Sequence, residues 1–318
     1  MVKRRLILAG VAVVALGAAG WMVTKAPADL DADERAQLYE RPLSPPTEPL
    51  NVFHLGHSLV GRDMPAMLAQ MADHSFASQL GWGTPLKAHW EPDETIQGFE
   101  TENAHPNYRD AKDALSSGAF DTFVLTEMVE IEAAIDYFDA PIYVERWVKA
   151  ARDGNPEIRT YLYESWHALD DQNGWLERLD TDPEQYWEGV LIAQAMVELD
   201  TSNPIYVIPV GRVMAEFVRR LEATPGLDGA TSREDLFERM DDGSLDPIHV
   251  NDLGAYLVAL THYAVLYHRS PEGLPRQLDR ADGSAANAPG PELAELMQRT
   301  VWDVVTELPV TGISVPTQ

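Results

Sequence analysis

The chain is predicted to fold as an α/β three-layer sandwich around a roughly five-stranded parallel sheet. Three features of its 318 residues predict this. Short strand-like runs alternate with longer helix-like runs, the pattern of strand–helix–strand crossovers. The run at 120–126 (Phe-Asp-Thr-Phe-Val-Leu-Thr) reads as a strand buried in a sheet covered on both faces. The run starting Asn51-Val52-Phe53-His54-Leu55 breaks at Gly56, directly before Ser58, and residues 64–72 follow with helical spacing. A strand that feeds a helix in this way leaves Ser58 at the carboxyl edge of the sheet, where open α/β sheets bind ligands.

In chain order, Lys3, Arg4 and Arg5 precede an uncharged apolar run of 18 residues, 6–23. That length sits at the lower limit of a spanning helix and above the usual signal-peptide core. Residues 1–25 are therefore expected to be a membrane anchor or a signal peptide. The basic cluster puts the rest of the chain on the periplasmic side of a bacterial inner membrane. Residues 26–49, acidic and then proline-rich, are expected to form a tether. The folded domain is expected over 50–310, with 311–318 as a tail. Its second strand is predicted at 86–90, followed by an irregular polar loop over 91–108, and its third at 120–126. A helix at 142–152 ends in Asp153-Gly154-Asn155-Pro156. Strands four and five are predicted at 159–164 and 204–210, joined by a helix over 183–199 with Pro183 in its first turn. Asn251 caps a helix over 252–267, with Leu253, Leu257, Leu260 and Ala264 on its buried face. A proline- and glycine-rich loop, 271–291, leads to a closing helix at 292–306.

A serine hydroxyl needs a base before it becomes a useful nucleophile. The candidate lies in Leu245-Asp246-Pro247-Ile248-His249-Val250-Asn251, where Asp246 and His249 are three apart. A carboxylate at that spacing can hold one imidazole nitrogen while the other faces Ser58. Gly56-His57-Ser58-Leu59 and Asp246-Pro247-Ile248-His249, in that order, resemble the blocks of the SGNH (GDSL-like) hydrolase superfamily, and this chain is similar to a divergent member. The α/β-hydrolase elbow fits less well: it wants glycine two residues after the serine, where this chain has Val60. The resemblance spans roughly residues 50–268 and implies an SGNH/flavodoxin-like fold, with Ser58, Asp246 and His249 as the catalytic residues. It also implies an oxyanion hole built from the Ser58 N–H, a glycine N–H and an asparagine side chain. Gly98 is the glycine chosen, with Gly81 and Gly83 as competitors. The asparagine is missing: Leu125-Thr126-Glu127-Met128 stands where the family has Gly-x-Asn-Asp. Asn103 or the Thr126 hydroxyl are the candidate substitutes. His57, Glu127, Trp90 and Trp166 are expected near the carboxyl edge as possible substrate-binding residues.

Composition narrows the partners. A net charge of −27 and a pI near 4.5 make a surface that repels phosphate backbones, so no nucleic-acid partner is expected. Cysteine is absent, which excludes disulfides, thiolate chemistry and zinc ribbons. His54 and His57, three apart on a strand, face opposite ways, so no metal or other cofactor is expected. The resemblance implies an exported serine esterase that cleaves or transfers acyl groups, acetyl esters on a carbohydrate being a candidate substrate. Membrane contact is expected through the N-terminal segment only. The alternative is a non-catalytic envelope module that keeps the fold for sugar binding or scaffolding.

Overall fold

A computed structural model describes residues 29–314. Its elements in chain order are α1 (Ala32–Leu38), β1 (Asn51–His57), α2 (Asp63–Ala72), β2 (Ser75–Gly81), α3 (Leu86–Trp90), α4 (Phe99–Glu102), α5 (Ala111–Ser116) and β3 (Thr122–Leu125). Next come α6 (Ile131–Phe138), α7 (Ala140–Gly154), β4 (Arg159–Glu164), α8 (Trp175–Asp182), α9 (Ala193–Ala195), β5 (Ile205–Pro209) and α10 (Val210–Glu222). The last elements are β6 (Phe237–Arg239), β7 (Leu245–Val250), α11 (Asp252–Tyr267) and α12 (Pro291–Glu307). Five strands make a parallel sheet in the order β2-β1-β3-β4-β5. Helices α2, α10, α11 and α12 pack together as one layer, and α3, α5, α6 and α7 as the other. The α/β three-layer prediction is therefore met. Every residue of β3 and β5 is buried, as expected of strands covered on both faces.

Strand two is corrected. Residues 86–90 alternate in polarity but form α3, because Pro85 ahead of them is extended and the first helical N–H, that of Leu86, donates to the Glu127 side chain. The true second strand, Ser75-Phe76-Ala77-Ser78-Gln79-Leu80-Gly81, is too polar and small-residued to stand out. It forms by pairing with β1 from Asn51↔Ser75 to His57↔Gly81. The loop predicted over 91–108 contains α4, and Tyr108 bridges Ser78 in parallel fashion, which covers part of the open edge of β2.

The helix predicted at 183–199 is also corrected. A continuous helical run begins earlier, at Trp175, and its residues Pro183–Ile192 are π-helical. Pro183 lies inside the run, where it lacks an N–H and breaks the i→i−4 ladder. Helices α6 and α10 are additions to the sequence-based order. Around α11 burial is nearly complete, while Leu253 is only half-buried. Asn251 caps that helix by accepting from the Leu253 and Gly254 N–H groups.

The tether and tail need correction as well. Within 26–49, α1 has a complete capping box, the Tyr39 hydroxyl donates to the Ile205 carbonyl at 2.8 Å, and Leu43 N–H donates to the Gly312 carbonyl. Val310, Thr311 and Ile313 are buried. Residues Leu38, Tyr39 and Leu43 of the first stretch, and Thr311 to Ile313 of the second, thus belong to the packed domain, while 44–49 lie mostly on its surface. The expected anchor or signal peptide, 1–25, lies outside the described residues. Among those described, no helix is long and apolar enough to cross a membrane.

Gly56 lets β1 and β3 close up at the carboxyl edge: a Cβ there would stand 2.5 Å from Thr126 Cγ2. Gly56→Ala is expected to destabilise the fold by about 1–3 kcal/mol through overpacking. Urea unfolding measures this, and an unchanged midpoint would mean that the contact yields freely.

Candidate active site

The turn after β1 carries Ser58 half-exposed at its tip, between buried His57 and the buried pair Leu59 and Val60. Val60 N–H closes the turn on the His57 carbonyl at 2.9 Å. The His57 side chain is fully buried beneath it. Its Nδ1 accepts from Leu59 N–H at 3.3 Å, and its Nε2 lies 2.8 Å from the Glu127 carbonyl, which can only accept. Nε2 therefore carries the proton. Burial pushes the His57 pKa down to about 4, against its bond to the Glu127 carbonyl, with His249 lowering it further. The ring is neutral at physiological pH. The Tyr163 hydroxyl donates to the Leu59 carbonyl at 3.0 Å and fixes the far side of the turn.

Asp246 and His249 sit on β7, the second strand of a small antiparallel hairpin with β6. Asp246 Oδ1 accepts from the Ile248 and His249 N–H groups at 2.9 and 3.0 Å. Asp246 Oδ2 is 2.8 Å from His249 Nδ1, and His249 Nε2 is 3.0 Å from Ser58 Oγ. Partial burial works to raise the Asp246 pKa, but the two backbone N–H groups and the imidazole outweigh it and hold the carboxyl below its ordinary value. An ionised Asp246 keeps the proton on Nδ1 and leaves Nε2 free to accept from the serine.

Two contacts outside the motif set the place of this segment. Trp166 Nε1–H donates to the Ile248 carbonyl at 2.8 Å, and Leu169 N–H donates to the Pro247 carbonyl at 2.9 Å. The two residues between the acid and the base are thus fastened to the loop leaving β4. Trp166 is fully buried, so it reaches the site from behind and is not open to a substrate. His57 and Glu127 are likewise fully buried, which removes the expected direct contact with a substrate. Trp90 is half-buried, with its ring edge-on to Trp147 at 4.9 Å and Lys112 over it at 4.7 Å.

The candidates for the third oxyanion donor are used elsewhere. Asn103 bonds both the N–H and the carbonyl of Leu80, and the Thr126 hydroxyl donates to the Tyr163 carbonyl at 2.7 Å. With strand two at 75–81, Gly81 and Gly83 stand directly at its carboxyl end, and Gly98 lies further along the segment that follows it. Gly98 lies at φ +69°, and a Cβ on it would stand 2.2 Å from the Trp82 ring. Gly83 is exposed, and neither its N–H nor that of Ser58 has a hydrogen-bond partner among the described residues. The Gly-Trp-Gly at the end of a short strand could have signalled this place, had the strand been recognised.

No protein-family model matches the chain, and no curated protein matches it. Among solved structures, a DUF4886 family protein from Bacteroides uniformis is 13% identical, with a TM-score of 0.50 over 81% of this chain and 95% of that one. A candidate GDSL-like lipase from Parabacteroides merdae is 12% identical, with a TM-score of 0.39 over 70% of this chain and 96% of that one. A carbohydrate esterase family 3 protein from Talaromyces cellulolyticus is 13% identical, with a TM-score of 0.36 over 69% and 97%. The first likeness establishes a common fold, and the other two are too loose to carry an argument. The chain shares the fold of the DUF4886 protein, an α/β sandwich on a five-stranded parallel sheet of the SGNH/flavodoxin-like type.

Glu127 offers a test of the site's foundation. Its Oε1 accepts from the Leu86 and Met128 N–H groups, while Oε2 is buried without a partner. Burial pushes its pKa up to about 7, with the two N–H groups opposing. A raised carboxyl pKa stabilises the fold below the ordinary value of 4.5, and the contribution is lost as pH rises through about 7. The loss should be on the order of 3 kcal/mol. Glu127→Gln should therefore gain stability relative to wild type as pH rises from about 5 to about 8.5 in urea unfolding. Parallel pH profiles for the two proteins would place the titration elsewhere.

Proposed function

We propose that this SGNH-fold protein is a serine ester hydrolase whose nucleophile is Ser58. The observation that carries the proposal is the continuous hydrogen-bonded chain from Ser58 Oγ through His249 to Asp246, with its serine end open to solvent. In the proposed reaction, His249 Nε2 takes the Ser58 proton as Oγ attacks the carbonyl carbon of an acyl ester. Asp246 stabilises the imidazolium that forms. Collapse of the tetrahedral intermediate breaks the ester C–O bond, and His249 gives its proton to the departing alkoxide. Water then attacks the acyl-serine, surrendering a proton to His249, and the acid leaves as Ser58 is reprotonated. A sugar hydroxyl in place of that water would make the same site a transferase.

The Ser58 and Gly83 N–H groups are the proposed oxyanion donors. Both follow adjacent parallel strands, and both lack other partners among the described residues. The substrate class proposed is an acyl ester, with acetyl groups on carbohydrate the favoured case. One observation favours the non-catalytic alternative: Asn103 and the Thr126 hydroxyl are committed to the backbone, so no side-chain donor of the candidates considered completes the hole. One missing donor costs about 3–4 kcal/mol of transition-state stabilisation.

Fluorophosphonate labelling with intact-mass detection separates the two readings. Ser58→Ala is expected to abolish the label and lower acetyl-ester turnover by at least about a thousandfold, with the fold retained because the side chain lies on a turn. Equal turnover in wild type and variant would remove Ser58 as the nucleophile.

The proposed location is the bacterial cell envelope, on the periplasmic side, supported by Lys3-Arg4-Arg5 and the apolar run at 6–23. Fractionation of cells expressing the full chain should recover it with the inner membrane, or in the periplasm if the segment is removed. Recovery in the cytosol would refute the assignment.

A further inference from the structure

Trp82 is the first residue beyond β2, as Ser58 is the first beyond β1, and the last paired residues of those strands are Gly81 and His57. The two segments thus leave the sheet side by side, from parallel strands that lie about 4.8 Å apart. The Trp82 side chain is 51% exposed, one of the few large apolar side chains in that state among the described residues. It is nevertheless held from three directions. Its backbone N–H donates to the Gln97 carbonyl at 2.8 Å, its indole N–H donates to Glu102 Oε1 at 2.8 Å, and its ring lies against Gly98. A Cβ on Gly98 would approach Trp82 Cδ2, Cε2 and Cγ to within 2.2, 2.3 and 2.6 Å, so only glycine allows the ring to lie flat there. A tryptophan that merely filled space would be covered by its neighbours. This one is backed on one side and fixed at both ends while half of its surface stays in water.

We propose that Trp82 is the stacking platform for the neutral pyranose ring that bears the ester cleaved at Ser58. The proposal rests on the reading of Ser58 as nucleophile and names the substrate class of that site. The π-face is electron-rich and attracts the polarised C–H groups on the face of a sugar ring. The exposed residues adjoining it, Gly83 and Gln97, add no apolar side chain. A single aromatic face amid polar groups suits a ligand with an apolar face and a hydroxylated edge, whereas an acyl chain needs a continuous apolar groove. Glu102 bonds the indole through Oε1, which leaves Oε2 to accept from a sugar hydroxyl. Glu100 and Glu102, on a chain of net charge −27, select against uronic acids and sugar phosphates.

The test compares Trp82→Ala and Trp82→Phe in the full chain on monoacetylated methyl gluco- and xylopyranosides, on phenyl acetate and on ethyl acetate. With Trp82→Ala, the fall in kcat/KM on the acetylated pyranosides should exceed the fall on ethyl acetate by about tenfold, mainly through KM. Trp82→Phe should restore most of the difference. Equal losses on all substrates would reduce Trp82 to a structural role, and a selective loss on phenyl acetate alone would make the occupant an aryl group; either overturns the proposal. A second arm does not depend on turnover. Calorimetry with Ser58→Ala and the acetylated pyranosides should detect binding that the Ser58→Ala/Trp82→Ala double variant loses. If wild type proves inactive and unlabelled, that loss still supports the platform while the nucleophile assignment fails. Absent or equal binding in the two variants overturns the platform.

Discussion

The His57 imidazole bridges the Leu59 N–H and the Glu127 carbonyl inside a fully buried space, and the geometry of the serine turn hangs on that bridge. The bridge works only while the ring is neutral, with one nitrogen donating and the other accepting. Burial enforces that state by making the imidazolium costly. The turn residues on both sides of Ser58 are therefore fixed to the end of β3 and, through Tyr163, to β4. From a turn so braced, the Ser58 hydroxyl is held within hydrogen-bond reach of His249 Nε2.

The same economy of buried polar groups extends outward. His89 Nε2 donates to the Gly56 carbonyl, its Nδ1 accepts from the Gln79 amide, and Gln79 Oε1 accepts from Ala111 N–H. One chain of bonds thus joins β1, α3, β2 and α5 at the edge where the site lies. On the far side, Trp166 and Leu169 fasten the two residues between Asp246 and His249. Asn251 caps α11 with its carbonyl oxygen and uses its amide to hold the Asp235 and Phe237 carbonyls, which locks the hairpin to the helix. Unmatched backbone groups in such a place would each cost about 1–3 kcal/mol. The side chains that match them position the site through the backbone they hold.

Much of the fold was legible because β1, β3, β4 and β5 are buried on both faces and carry aliphatic or aromatic residues at their centres. β2 was not legible. Its serine- and glutamine-containing sequence has no strong local preference, and pairing with β1 decides its state. The reverse error occurred at 86–90, where alternating polarity suggested a strand and the Glu127 carboxylate, 41 residues away, anchors a helix start instead. The packing of residues 31–43 was hidden for the same reason, because it depends on Ile205 and Gly312, which are distant in sequence.

At the candidate site, the sequence by itself picked out the three side chains, Ser58, Asp246 and His249, that the structure brings into hydrogen-bond contact. Ser58 follows a strand and a glycine, and the Asp246–His249 spacing lets a carboxylate meet an imidazole within one local segment. Such short-range relations are governed by backbone geometry, so they survive without knowledge of the fold. Only the tertiary structure decided which groups surround that set. It put His249 against a serine 191 residues away and buried His57, Glu127 and Trp166 behind the site. It also committed Asn103 and Thr126 to the backbone and left Trp82 exposed directly beyond the end of β2. Burial and hydrogen-bond partnership are properties of the packed sheet edge, and a residue's identity does not encode them.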